Sequence, residues 1–215
     1  MNDQEIELIN SQTRNQKIKD FYQNNKKKIF LTFIFLFILV LLLFGVRELK
    51  ENKKIKISEQ YKSTILNYNQ NDKQATINRL KDIIFEKDKT YSPLALYFII
   101  DNNLIEAVDD INILFDIIIN EVGLDKDVKN LNIYKKALLN SNKNDETRLL
   151  TIIDPIIKNK NPWQSHSFFL LGEFYYYNGN KIKSKEYFEK ILTLENVIDS
   201  IKLETRKRLQ RDFSD

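Results

Sequence analysis

The chain contains no cysteine. Disulfides, thiolate metal sites, iron–sulfur ligation and a cysteine nucleophile are thereby excluded. It has one histidine, His166. A zinc centre built on several histidines is excluded too, and a Ser-His-Asp relay would have a single candidate base. Glycine numbers 4 and proline 3 in 215 residues, so glycine-rich phosphate loops are missing and an all-β fold with many tight turns is disfavoured. Lys and Arg total 34 against 30 Asp and Glu, a net charge of +4. That balance does not suit a dedicated nucleic-acid binder. Lys, Asn and Ile are abundant, which reads as A/T-rich coding bias. The composition is that of a helical protein with little equipment for catalysis. No enzyme activity, cofactor, metal or small-molecule substrate is expected.

One long apolar run divides the chain. Residues 29–46 read IFLTFIFLFILVLLLFGV, without a charge. At ~1.5 Å per residue the run covers about 27 Å, close to the hydrocarbon thickness of a bilayer. A soluble core helix this apolar on every side would need a large protein around it. A cleaved signal peptide would show a shorter apolar region and small residues after it, where Arg47 and Glu48 stand. The run therefore reads as an uncleaved transmembrane helix. It follows an N-terminal tail (1–28) with Ile6, Leu8, Ile9 and Ile18 but no long apolar stripe, and precedes a charged juxtamembrane linker or helix extension (47–57). Lys26, Lys27 and Lys28 abut the run, whereas Glu48 and Glu51 interrupt the basic residues beyond it. The positive-inside rule then puts the tail in the cytoplasm and the C-terminal domain outside. The same lysines carry the right charge for anionic headgroups.

Residues 58–215 show no sustained apolar alternation. Apolar residues recur at threes and fours instead, as in Ile77, Leu80, Ile83 and Ile84. The spacing predicts helices near 48–70, 72–87, 92–102, 104–120, 127–140, 144–158, 162–178, 181–194 and 197–211. Ser92-Pro93 and Asn161-Pro162 read as caps before a proline in the first turn. Gly123, Gly179 and Asn102-Asn103 read as helix ends in the left-handed conformation. Pro155 is expected to kink or end its helix.

Paired helices invite a repeat test. Residues 165–198 place Phe168, Leu171, Gly172, Tyr175, Gly179, Ser184, Phe188 and Ile191 at the spacings of the tetratricopeptide pattern, with Asn196 in place of its final proline. Gly172 and Ser184 are small where two helices would cross. Leu171 and Tyr175 share a face, and Phe188 and Ile191 would meet the next helix. A weaker match, 88–121, offers Tyr91, Leu94, Ala95, Phe98, Asn102, Ala107, Ile111 and Leu114. The fold class expected is all-α: a single N-terminal transmembrane helix followed by a tetratricopeptide-like α-solenoid of three to four helix pairs. The helix 197–211, with Glu204, Arg206, Lys207, Arg208 and Arg211, reads as the polar terminal cap such arrays need.

This layout of tail, span and repeat domain, together with Ile152–Ile157, Asn161-Pro162-Trp163 and the 165–198 repeat, resembles a bacterial family. It is the YfgM-like tetratricopeptide family, the ancillary subunits of the SecYEG translocon. The resemblance implies an inner-membrane protein with a periplasmic repeat domain. Its implied partners are the translocon, a membrane-anchored periplasmic chaperone and exported polypeptides. A tetratricopeptide scaffold for envelope or cell-division assembly has the same fold and stays open as the alternative.

The candidate protein-binding surface is aromatic. The helix at 162–178 carries Phe168, Phe169, Phe174, Tyr175, Tyr176 and Tyr177 and cannot bury every face. With 168, 171, 172 and 175 turned to the core, Phe169, Tyr176 and Tyr177 are left for a groove or for packing on the pair at 127–158. His166 reads as a packing or surface residue. Asp109-Asp110 and Asp125/Asp127 lack the spacing of a calcium loop and read as solvated helix ends. Lys181, Lys183 and Lys185 read as a solvated face.

Overall fold

The computed structural model describes residues 3–69, 72–143, 145–195 and 197–213, with side chains from 16 onward except at 18, 29 and 143. The side chains of Ile6, Leu8, Ile9 and Ile18, and Asn196, lie outside the described residues. Among those described there are nine α-helices and no strand: α1 (Asp3–Leu66), α2 (Lys73–Phe85), α3 (Tyr91–Asp101), α4 (Val108–Glu121), α5 (Lys126–Asn140), α6 (Glu146–Ile157), α7 (Gln164–Tyr177), α8 (Lys181–Thr193) and α9 (Asp199–Phe213), with a 3-10 turn at Ser141–Lys143. The chain divides between Ile55 and Lys56 into two units.

The first unit is helix. Tail, apolar run and the segment read as a linker or helix extension form one helix, α1, unbroken through all of them. Its sequence explains this: α1 holds no proline, and its single glycine, Gly45, is tolerated in a helix interior at about 1 kcal/mol. From Phe30 onward α1 is long and apolar enough to cross a membrane. Its most apolar window has mean hydropathy 2.7, and none of that window is buried.

The second unit is built by neighbouring helices packing in chain order, α2 on α3, α4 on α5, α5 on α6, α7 on α8 and α8 on α9. Turns set the boundaries. Asp72, Asp145 and Asn180 cap α2, α6 and α8 by accepting from backbone amides three residues on. Gly123, Gly179 and Asn103 have φ of 66°, 77° and 49°, the left-handed conformation that ends a helix. Lys87 also adopts it, at 55°, although lysine gives no such signal in sequence. The cap expected at Ser92 is elsewhere. Asp88 accepts from the amides of Thr90 and Tyr91, α3 starts at Tyr91, and the buried Ser92 hydroxyl donates instead to the Ile83 carbonyl of α2. Asn161 does accept from the Trp163 amide, and α7 begins one residue later. Helix α6 passes through Pro155 and ends two residues beyond it, at Ile157.

The register proposed for 88–121 is lost after Asn102. Residues 102–107 are loop, with the Leu104 amide donating to the Ile99 carbonyl and its side chain buried. Helix α4 therefore starts late, and Ala107 is an exposed N-cap instead of a small residue at a crossing. Ile57, placed in the linker by sequence, belongs to the core.

Two apolar clusters fill the unit. One joins the end of α1 to α2, α3 and α4 around Leu80, Ile84, Leu96, Ile99 and Phe115. The other joins α5, α6 and α7 around Leu149, Ile153, Leu171 and Tyr175. Between them the seam is amide. Buried Asn112 and Asn140 exchange two hydrogen bonds, at 3.1 and 2.8 Å. Tyr97 donates to buried Asn132 at 3.0 Å. The asparagine content that reads as coding bias thus has a structural use at this seam. A buried amide costs little when every partner is present, and it fixes which helix faces which.

Candidate functional site

Helix α7 carries the aromatic residues singled out in sequence, and its contacts divide them. Leu171, Gly172 and Tyr175 are buried, Leu171 and Tyr175 in the cluster with α5 and α6 and Gly172 against Phe188 of α8. The Ser184 hydroxyl donates to the Gly172 carbonyl at 2.8 Å, a contact that only two small residues allow. Phe168, expected in the core, is half-buried with its ring 6.1 Å from Tyr187. Tyr175 stacks on Tyr187 and donates to Glu146 at 2.7 Å. Burial, then the Glu146 carboxylate, hold the Tyr175 phenol well above its usual range. Lys183 was expected to be solvated. It bonds Glu146 at 2.8 Å and lies over the Tyr175 ring.

The three residues expected to form one binding surface differ in what covers them, although the Tyr176 and Tyr177 rings touch edge-on at 6.0 Å. Phe169 meets Phe188 edge-on at 5.3 Å. Tyr176 lies beneath the Arg208 guanidinium, 4.5 Å from its ring centre, and against Phe213. Both face α8 and α9 instead of the pair at 127–158. Tyr177 alone remains open, 80% exposed. The cause is α9, which docks on this face. Arg208, expected on a polar solvent-facing cap, is buried. It forms a two-pronged ion pair with Glu173 at 2.6 and 2.8 Å and also bonds Asp212.

Tyr177 opens onto a different feature. Two hollows of about 310 and 290 Å³ share Asn142. The first is lined by α3 and α5, with Tyr97, Ile100, Lys135 and Leu138 among its walls. The second lies by α7, with Leu170, Phe174 and Tyr177. They adjoin at Asn142, the first between α3 and α5 and the second beside α7. Leu138 and Tyr177 supply exposed apolar surface, while Asn142, Asn178 and Ser141 supply hydrogen-bonding groups. Burial pushes the Tyr97 phenol up to about 12, with its bond to Asn132 opposing. It is therefore a neutral donor, and Lys135 sits over its ring at 4.4 Å. The sequence does carry signals for the first hollow, in the apolar and aromatic residues of 97–100 and 134–139. The helix pairing that assembles them is not in the spacing.

The remaining candidates are structural. His166 packs between Trp163 and Tyr134, with ring centres at 5.1 and 5.7 Å. Its Nδ1 is buried and has only a poorly aligned contact to the Pro162 carbonyl. Burial holds its pKa below the usual histidine value, with the Pro162 carbonyl opposing. The folded state therefore disfavours the imidazolium. The stability this contributes is complete above the unfolded pKa and is lost as pH falls through it toward the folded one. As pH falls below about 6.5 the urea midpoint followed by Trp163 fluorescence is expected to drop, and His166→Phe should flatten that dependence. An unchanged pH dependence in the variant would show that His166 is not its source.

Asp109 pairs with Arg148 at 2.7 Å and Asp125 with Lys89 at 3.7 Å. Among the described residues no group of His, Asp and Glu is placed to hold a metal ion. Compared with family models, with curated proteins and with solved structures, the chain matches none.

Proposed function

We propose that this chain is a membrane-anchored protein-binding module. Residues 29–46 cross the inner membrane of a bacterium with the N-terminus in the cytoplasm. The domain after it is a tetratricopeptide-like solenoid of three to four helix pairs, held in the periplasm. There it acts as an ancillary translocon subunit that helps a membrane-anchored chaperone handle exported polypeptides. The observation that supports this reading best is the pair of hollows that adjoin at Asn142, one between α3 and α5 and one beside α7. They are walled by aromatic and aliphatic side chains and rimmed by amides, the chemistry of peptide recognition. The tether adds to it, since confinement near a partner raises effective concentration without new contacts. No catalytic, cofactor or metal site is assigned.

Reporter fusion comes first. A reporter active only outside the cytoplasmic membrane, joined after the last residue, is expected to give signal, and one active only inside is expected to be silent. The reverse result would remove the periplasmic assignment. A photo-crosslinker at Leu138 or Tyr177 in native membranes should then capture translocon or chaperone subunits, while one at Tyr176, covered by α9, should capture little. Capture of envelope or cell-division assembly proteins alone would move the module to the scaffold reading.

A further inference from the structure

We propose that the N-terminal flank of the apolar segment in α1 is a binding collar for anionic phospholipid headgroups. This rests on the reading that the segment crosses a bilayer. Helix α1 is continuous here, so Lys26, Lys27 and Lys28 are successive helical residues directly before the apolar run. Successive residues are rotated by about 100° and rise ~1.5 Å, so the three side chains fan over more than half the circumference within about one headgroup layer. All three are exposed, and among the described residues none forms an ion pair with a carboxylate. In sequence the nearest acids are Asp20 on one side and Glu48, beyond the run, on the other. A lysine stem lies along apolar surface while its ammonium reaches the phosphate level, so the collar is satisfied by headgroups without moving the helix.

Two further observations fix the depth and the side. Phe21 and Tyr22 are exposed about two turns before the run, where aromatic side chains prefer the interface. Within the run, the Thr32 hydroxyl donates to the Lys28 carbonyl, so the first apolar turn leaves no polar side chain unsatisfied. The far flank is different. Arg47 is followed at once by Glu48, and Glu51 falls between Lys50 and Lys53, so its basic residues are interspersed with carboxylates. The N-terminal flank is therefore the one that selects lipid. A charge that served insertion alone would leave no lipid preference in the assembled protein.

The test uses the full chain reconstituted in phosphatidylcholine vesicles, with a trace of spin-labelled phosphatidylglycerol or phosphatidylcholine. The fraction of each label immobilised by the protein is read by electron paramagnetic resonance. Phosphatidylglycerol is expected to be preferred by about fivefold at low salt, the effect of one lysine near an anionic surface. The preference should fall at high salt. It should vanish in the Lys26→Gln/Lys27→Gln/Lys28→Gln variant and persist in Arg47→Gln/Lys50→Gln. Equal immobilisation of the two lipids, or a preference that survives the triple substitution, overturns the collar. Alkaline carbonate extraction of the same vesicles separates the two levels. Release of the protein overturns the spanning reading and the collar with it, whereas retention with equal lipid binding overturns the collar alone.

Discussion

Gly172→Leu is expected to lower the urea unfolding midpoint of the full chain in mild detergent, read by Trp163 fluorescence, by the equivalent of about 3 kcal/mol. A Cβ at position 172 would stand 2.7, 2.8 and 2.9 Å from Cε1, Cζ and Cδ1 of Phe188. That ring is fully buried and hemmed by Phe169 and Phe213, so it has nowhere to swing. Nor can the helices separate freely, because the Ser184 hydroxyl is bonded to the Gly172 carbonyl. A leucine gains about 1 kcal/mol of helix propensity over glycine, which offsets only part of the overpacking. For a domain of this size the change corresponds to a fall in Tm of roughly 6–12 °C. Phe188→Ala in the Gly172→Leu background should return part of the loss, since the two residues share one space. If the midpoint of the single variant did not move, the α7–α8 contact would not be as described.

Arg208→Met is expected to cost about 3 kcal/mol in the stability of α9, because breaking one side of a buried ion pair strands the other. The Arg208 side chain is 9% exposed and that of Glu173 23%. With the guanidinium gone, Glu173 loses both of its hydrogen bonds from Arg208 and the Tyr176 ring loses the cation above it. Hydrogen exchange over 199–213 should accelerate far more than exchange in α2 to α6, and a crosslinker at Tyr176 should begin to capture partners. Replacing Glu173 and Arg208 together by methionine should cost much less, which separates the stranded charge from lost packing. Protection of α9 that is unchanged in Arg208→Met would falsify the assignment. Acid should loosen the same helix. Asp212 is held below the usual carboxylate range by Arg211 and then by Arg208. Its contribution is present above the unfolded pKa and is lost as pH falls through the folded one, below roughly pH 4.

Much of the helical order was open to sequence reasoning. Spacing at threes and fours marks Leu80, Ile83 and Ile84 as one face, and they are buried together. Gly123, Gly179 and Asn103 stop helices because few other residues take positive φ. Leu171, Gly172, Tyr175, Ser184 and Phe188 could be placed from one short window, since a helix hairpin brings neighbours in sequence together. The reading failed where a local cue was read without its partner. Ser92 looks like a cap until the Ile83 carbonyl is beside it. Tyr176 looks open until α9 is docked.

The sequence by itself determined the class of this protein. An unbroken apolar run, the near absence of glycine and proline, and helical spacing leave an all-helical chain with a segment long enough for a bilayer. These are properties of single segments, and each segment carries its own signal. Tertiary structure alone decided which surfaces remain free. The Arg208–Glu173 pair spans 35 residues and the Asn112–Asn140 exchange 28. Neither polar residue differs in isolation from a solvated one. Whether it becomes a buried clamp depends on the partner that the fold carries to it. The same is true of the two hollows: the one by Leu138 and the one by Tyr177 adjoin at Asn142 only because α5 and α7 pack against each other.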